Sequence, residues 1–364
     1  MSLSYEESTI YNYICILFCL FTVLMYRKHI FKNTTTKKNN YLYFGILITS
    51  FSLLYRAGFD FIGHQSLMES YIYGDYYRLH MEPFFYWLID VLPKDYIVWR
   101  AAVWGLSAII IIMCFKIMDA KKELATILFI TLTLTTCFYY LRNVLGFSVL
   151  YLGVIIFSKY VKSKKYLYTT AGLIFIILSV YLHKAMPLYI GISLIAILLP
   201  INKYTITISL ALFPFLYYSI HYITSYFLDL DYIFSMTNEY GNLYFEQTNS
   251  FKANILGIIG LIIIYFPTLF IIYTSIKFIL DNRTTISYTQ KNLLNITYIL
   301  IYVSFLFIGQ IDINIQTRFW KTASLPLVLY LSTYLEDKRH TKYSKIFFIS
   351  IIIQYIYIVF ISYS

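Results

Sequence analysis

The chain has 364 residues, 59% of them hydrophobic and 13% charged, with a formal net charge of +11. With a mean hydropathy of +0.66, apolar runs of spanning length recur from end to end. This argues against a soluble domain and for an all-α polytopic integral membrane protein, a single multispan domain over residues 1–364. The cysteines at 15, 19, 114 and 137 all lie inside apolar runs with no zinc spacing, which argues against a disulfide framework or a structural metal.

In chain order, the apolar runs predict about 12 transmembrane helices, at 9–26, 41–55, 97–115, 124–141, 143–158, 168–182, 185–200, 205–223, 254–275, 293–309, 322–335 and 346–361. The first carries acids before it and "YRKHIFK" after it, opposite to a cleavable leader, so it is expected to be retained. With the loop after it placed in the cytoplasm, cytoplasmic segments hold 20 of the 29 Lys and Arg. The other side holds Arg56, Arg78, Lys94, Arg100, Arg142, Lys184, Lys252, Arg318 and Lys321, so the bias favours this orientation. The two long loops, 56–96 and 224–253, then face outward. The 40 Tyr and 30 Phe fit an AT-rich coding sequence and aromatic belts at the two interfaces.

Within the first outer loop the stretch "RLHMEPFFYWL" turns polar sequence into an apolar helix. Pro83 suits a first helical position, and Glu82 beside it favours the positive helix end. Phe84, Leu88 and Val91 share one face, with Phe85 and Leu92 beside it, and Pro93 ends the run. So short a helix cannot span, and an interfacial amphipathic helix is expected.

The inner charges are mostly Lys in short loops, which topology and lipid contact explain. The outer ones are mostly Arg, placed singly at span ends. Charge at membrane depth usually faces a cavity with a partner. Guanidinium stays charged and takes oxygen pairs bidentately. Arg56, Arg100, Arg142 and Arg318, spread over four span ends, are therefore candidate ligands for a diphosphate at the membrane surface; snorkelling to the headgroups explains any one of them alone. Asp60 and Glu82 adjoin apolar segments and are candidate general bases. His183, in "SVYLHKAMPLYI", is a candidate base, phosphate ligand or helix-end histidine. No glycine-rich phosphate loop, cofactor motif, metal motif or nucleic-acid signature is present, so no cofactor and no nucleic-acid partner are expected.

Arg56, Gly58 and Asp60 ahead of "YGDYYRLHMEPFFYWL", then "YYLRNVLGFSVLYLG" and "YLHKAMPLYI", resemble the EpsG family, the Wzy-like polymerases of bacterial exopolysaccharide, capsule and O-antigen. The resemblance covers residues 40–200 with motifs and the rest in hydropathy. It implies a membrane glycosyltransferase of the bacterial inner membrane with an outward-facing site. Such an enzyme polymerises repeat units of undecaprenyl-diphosphate-linked oligosaccharide, works among membrane lipids without a nucleotide, and has a chain-length regulator protein as a candidate partner. A lipid-linked oligosaccharide flippase and a polysaccharide ligase are the alternatives. A multispan acyltransferase is less favoured, because Arg27 and His29 sit in a Lys-rich loop that topology explains.

Overall fold

A computed structural model describes residues 59–74, 82–120, 122–129, 132, 141–226, 255–280, 286–307, 313–335 and 341–360. The described residues form helices and their connections, with no strand among them. The helices are α1 Phe59–Ile72, α2 Pro83–Val91, α3 Tyr96–Ile117, α4 Lys122–Phe129, α5 Leu141–Val161 and α6 Tyr166–Leu182. They continue with α7 Met186–Leu198, α8 Lys203–Tyr226, α9 Ile255–Leu280, α10 Tyr288–Leu306, α11 Ile313–Tyr334 and α12 Thr341–Phe360.

Two of these, residues 96–117 and 142–161, are long and apolar enough to cross a membrane; α6, α7 and residues 345–354 are shorter apolar helices. Many large apolar side chains on the outside of the bundle are exposed, among them Leu173, Ile174 and Ile177 on α6 and Leu210, Phe215 and Tyr218 on α8. An apolar exterior of this extent marks a surface made for something other than water.

The predicted runs over 97–115, 143–158, 168–182, 185–200, 205–223, 254–275, 293–309 and 346–361 coincide with helices, several of which extend further at one or both ends. Runs 9–26 and 41–55 lie outside the described residues. Three differences concern the site. The loop 56–96 contains a helix, α1, as well as the expected short α2. Helix α11 starts at Ile313, well before the predicted 322, so Arg318 lies inside a helix. The face of α2 is also rotated: Phe85, Leu88 and Ile89 are buried while Val91 is exposed. The helix packs against α6, and Trp99 of α3 draws Phe85 inward by donating Nε1–H to its carbonyl at 3.4 Å.

Helix α5 is the central helix, with α3 and α10 packed against it and α6 returning along it as the outer arm of a hairpin. The hairpin's close approach depends on glycine. A Cβ on Gly153 would stand 2.7 Å from the Gly172 carbonyl oxygen, and one on Gly172 would stand 2.7 Å from the Phe157 nitrogen. Small residues at a helix crossing let backbones meet, which gains dispersion contact where apolar burial offers little drive. Gly172, Ile176 and Ser179 form the buried stripe of α6, leaving the rest of that helix outward.

Helix α10 is tied in by buried amides. Asn295 donates to the Ala196 carbonyl at 3.0 Å and accepts from the Ile201 N–H at 3.2 Å. Asn292 donates to Ser158 Oγ at 2.9 Å. The helix begins with a capping box, in which Ser287 and Gln290 satisfy each other's backbone N–H.

Candidate functional site

The polar cluster around Arg142 is positioned by local features of α3, α5 and the α6–α7 turn. Helix α3 starts where the Asp95 carboxylate accepts from the Ile97 and Val98 N–H groups, at 2.7 and 3.1 Å, satisfying two otherwise unpaired donors. This places Arg100 near the helix start, buried at the N-terminal end of α3. Helix α5 starts at Leu141, so Arg142 is in its first turn, and Gly146 lies one turn further on the same face. A Cβ on Gly146 would come within 3.2 Å of the Met186 side chain and 3.4 Å of the His183 Cβ. The glycine therefore lets the turn between α6 and α7 settle against α5 beside Arg142.

Glu82 sits just before α2 with an extended backbone and makes no side-chain cap. Its carboxylate, 5% exposed, reaches instead across the bundle. Oε2 accepts from Arg142 Nη1 at 3.1 Å, and Oε1 accepts from the backbone N–H of Lys184 at 3.1 Å. Glu82 does stand at the start of α2, where its carbonyl accepts from the Phe85 N–H at 3.0 Å, and its side chain adds an ion pair with α5 and a hydrogen bond to the α6–α7 turn. A buried carboxylate is tolerated only when its oxygens are satisfied, and here each has a donor.

Arg142 has a second partner that the sequence reading did not single out. Its Nε donates to Nε2 of His64 at 3.0 Å. His64 is buried on α1 and lies against the Trp99 ring, with centroids 6.4 Å apart. Burial, then the charges of Arg142, Arg100 and His183, hold its pKa well below the ordinary value, so it is neutral. A neutral imidazole is required, because Nε2 must keep a lone pair to accept from a guanidinium. The available signal was the i, i+4 spacing of Asp60 and His64 in "FDFIGHQSL", which places both on one face of a helix. That signal is invisible when 56–96 is read as a loop.

His183 ends α6 with an extended backbone. Its Nδ1 accepts from the Ala185 N–H at 3.0 Å, which shapes the turn into α7. Burial lowers its pKa most. Glu82 opposes this, and Arg142, Arg318 and Lys184 lower it further, to about 4. It too is neutral at pH 7. Arg318, exposed on α11, is near enough for its charge to act on His183 and on Tyr189.

Of the predicted residues, Glu82 and Arg142 meet directly beside the α6–α7 turn, and His183, Arg100 and Arg318 lie near enough for their charges to act on the histidines of the cluster or to be felt there. Asp60 is the second residue of α1. Arg56, with Arg78 and His80, lies outside the described residues. Asp90, another loop acid, accepts from the Tyr71 hydroxyl at 3.0 Å and ties α1 to α2. Among the described residues no three His, Cys, Asp or Glu are grouped to hold a metal ion.

Two of the five N–H donors of the Arg142 guanidinium are used by His64 and Glu82. The others face no described acceptor. Among the described residues, the cations Arg100, Arg142, Lys184 and Arg318 gather around the Glu82 carboxylate. The cluster also collects the N-terminal ends of α2, α3, α5 and α7, whose dipoles favour an anion. Neither the family models, nor curated proteins, nor solved structures match this chain.

Proposed function

We propose that the chain is a multi-pass protein of the bacterial inner membrane and a Wzy-like polysaccharide polymerase. It would extend an oligosaccharide carried on undecaprenyl diphosphate at the outer face. The observation that carries this reading is the convergence of Arg100, Glu82, Arg142, His183 and Arg318 from separate elements onto one end of an apolar-surfaced helical bundle. The Lys-rich turn at Lys162–Lys165 lies at the other end of α5. A helix of 21 residues separates the two by about 30 Å, which matches the hydrocarbon thickness of a bilayer.

In the reaction, the acceptor hydroxyl oxygen bonds to the anomeric carbon of the growing chain. The bond from that carbon to the diphosphate oxygen breaks, and undecaprenyl diphosphate leaves with the electron pair. Arg142, with its remaining donors, and Arg318 stabilise the charge developing on the leaving group. Arg100, buried behind them, contributes field to the site. A carboxylate, Glu82 or Asp60, takes the hydroxyl proton. Arg56 completes the set of cations expected around the diphosphate. A cytoplasmic nucleotide has no part in this scheme, and the aromatic side chains of the outer loops offer faces for sugar stacking.

The test is the fate of the lipid-linked repeat unit when this chain is deleted from its host. Single repeat units accumulating on the outer leaflet, with long polymer restored by the wild-type chain, are the expected result. Accumulation on the inner leaflet would make the protein a flippase. Full-length polymer that fails to be attached to its final acceptor would make it a ligase.

A further inference from the structure

We infer that His183 serves the site as a hydrogen-bond donor through Nε2–H to a phosphoryl oxygen, and does not act as a proton acceptor. This deepens the diphosphate reading above and rests on it for the identity of the ligand.

The geometry of the turn carries the assignment. The Ala185 N–H points into the Nδ1 lone pair at 3.0 Å. A neutral imidazole has one protonated and one bare nitrogen. With Nδ1 bare and occupied by Ala185, the proton is on Nε2, and the ring has no lone pair left to receive one. Among the described residues nothing accepts from Nε2. His183 is half-buried, not sealed in the core.

The surroundings keep this state. Glu82 favours a second proton on the ring, but its described partners are Arg142 and the Lys184 N–H, not the imidazole. Arg142, Arg318 and Lys184 all oppose a charged ring. His64 is held in the opposite sense, with its Nε2 lone pair used by Arg142. The two imidazoles therefore have fixed and different tasks. His64 orients the guanidinium, and His183 adds a neutral donor next to it. Arg142 is near enough for its charge to act on the His183 ring, and a neutral donor there would add contact to an anion without adding charge that holds the product.

The experiment uses the full chain in lipid nanodiscs, with inorganic diphosphate as the probe at pH 7. His183→Asn keeps an acceptor for the Ala185 N–H but is too short to replace Nε2–H. His183→Gln places an amide N–H near the Nε2 position. The expected result is that His183→Gln binds diphosphate within about threefold of wild type, while His183→Asn and His183→Ala bind about tenfold or more weakly. Equal loss in Gln and Asn variants, or wild-type binding by His183→Asn, overturns the assignment. So does failure of the wild-type chain to bind diphosphate. In parallel, nitrogen NMR of the His183 ring is expected to show a protonated Nε2 and a bare Nδ1; the reverse tautomer overturns it. Should the chain bind diphosphate in this His183-dependent way yet restore no polymer in cells, the polymerase reading falls and the donor assignment stands.

Discussion

Arg142 and Glu82, 60 residues apart in sequence, form a part-buried ion pair at 3.1 Å that joins the start of α2 to the start of α5. Each has one further partner, His64 for Arg142 and the Lys184 N–H for Glu82. Glu82→Ala removes the acceptor for both the Arg142 guanidinium and the Lys184 N–H. Breaking a buried pair from one side costs roughly 3 kcal/mol, reduced here because Arg142 keeps partial exposure. A lower thermal midpoint in detergent is expected for Glu82→Ala and for Arg142→Ala. The double variant should lose less than the sum of the two, as contacting residues do. Strict additivity would show that the pair contributes nothing.

The glycine contacts give a paired test. Gly153→Ala and Gly172→Ala drive a methyl to within 2.7 Å of backbone atoms. Overpacking against backbone costs about 1–3 kcal/mol. Gly105→Ala and Gly191→Ala meet nothing within 4 Å, and alanine gains up to ~1 kcal/mol in a helix. Thermal unfolding of the four variants should separate them into two destabilised and two unchanged or stabilised proteins.

Both site histidines make stability depend on pH in one direction. Their folded pKa values are depressed, to about 4 for His183 and well below the ordinary value for His64. The unfolded chain therefore binds more protons between the ordinary pKa of ~6.5 and the folded value. Stability is full above ~6.5 and is lost as pH falls from there toward 4. His64→Gln should flatten that slope, measured as the thermal midpoint between pH 7 and pH 4.5.

Asn295 holds the α7–α8 connection through two backbone groups, the Ala196 carbonyl and the Ile201 N–H. Asn295→Ala leaves both buried without that partner, at a cost of about 1–3 kcal/mol. Faster hydrogen exchange at Ile201 is the expected local signature, ahead of any change at the α5–α6 crossing.

Arg318 separates function from folding, because it is exposed. Arg318→Ala is expected to leave the thermal midpoint unchanged and to shorten the polymer made in a complemented deletion strain, with the yield of long chains down by about tenfold or more. Long chains at wild-type yield, with normal protein abundance, would remove Arg318 from the diphosphate set.

Composition and apolar periodicity were enough to determine the helical character of the described residues and the positions of most of their helices. Helix formation over a long apolar run is a local property, set by backbone hydrogen bonds within the segment. The gathering of Glu82, Arg142 and His183 was foreshadowed by the charge bias, which assigns all three to ends of apolar runs on one side. Their bonding was not. Sequence gave Glu82 two local roles, helix start or loop base, whereas packing turned it toward a guanidinium and a backbone N–H contributed by distant segments. His64 was legible only once α1 was recognised, and that helix has no continuous apolar run to mark it. The backbone donors of Lys184 and Ala185 carry no residue signature at all. Which nitrogen of His183 holds the proton was decided by a turn that α5 accommodates through Gly146. Such decisions depend on the meeting of polar groups far apart in the chain, and in a buried site each lone pair and each N–H must find its partner in three dimensions.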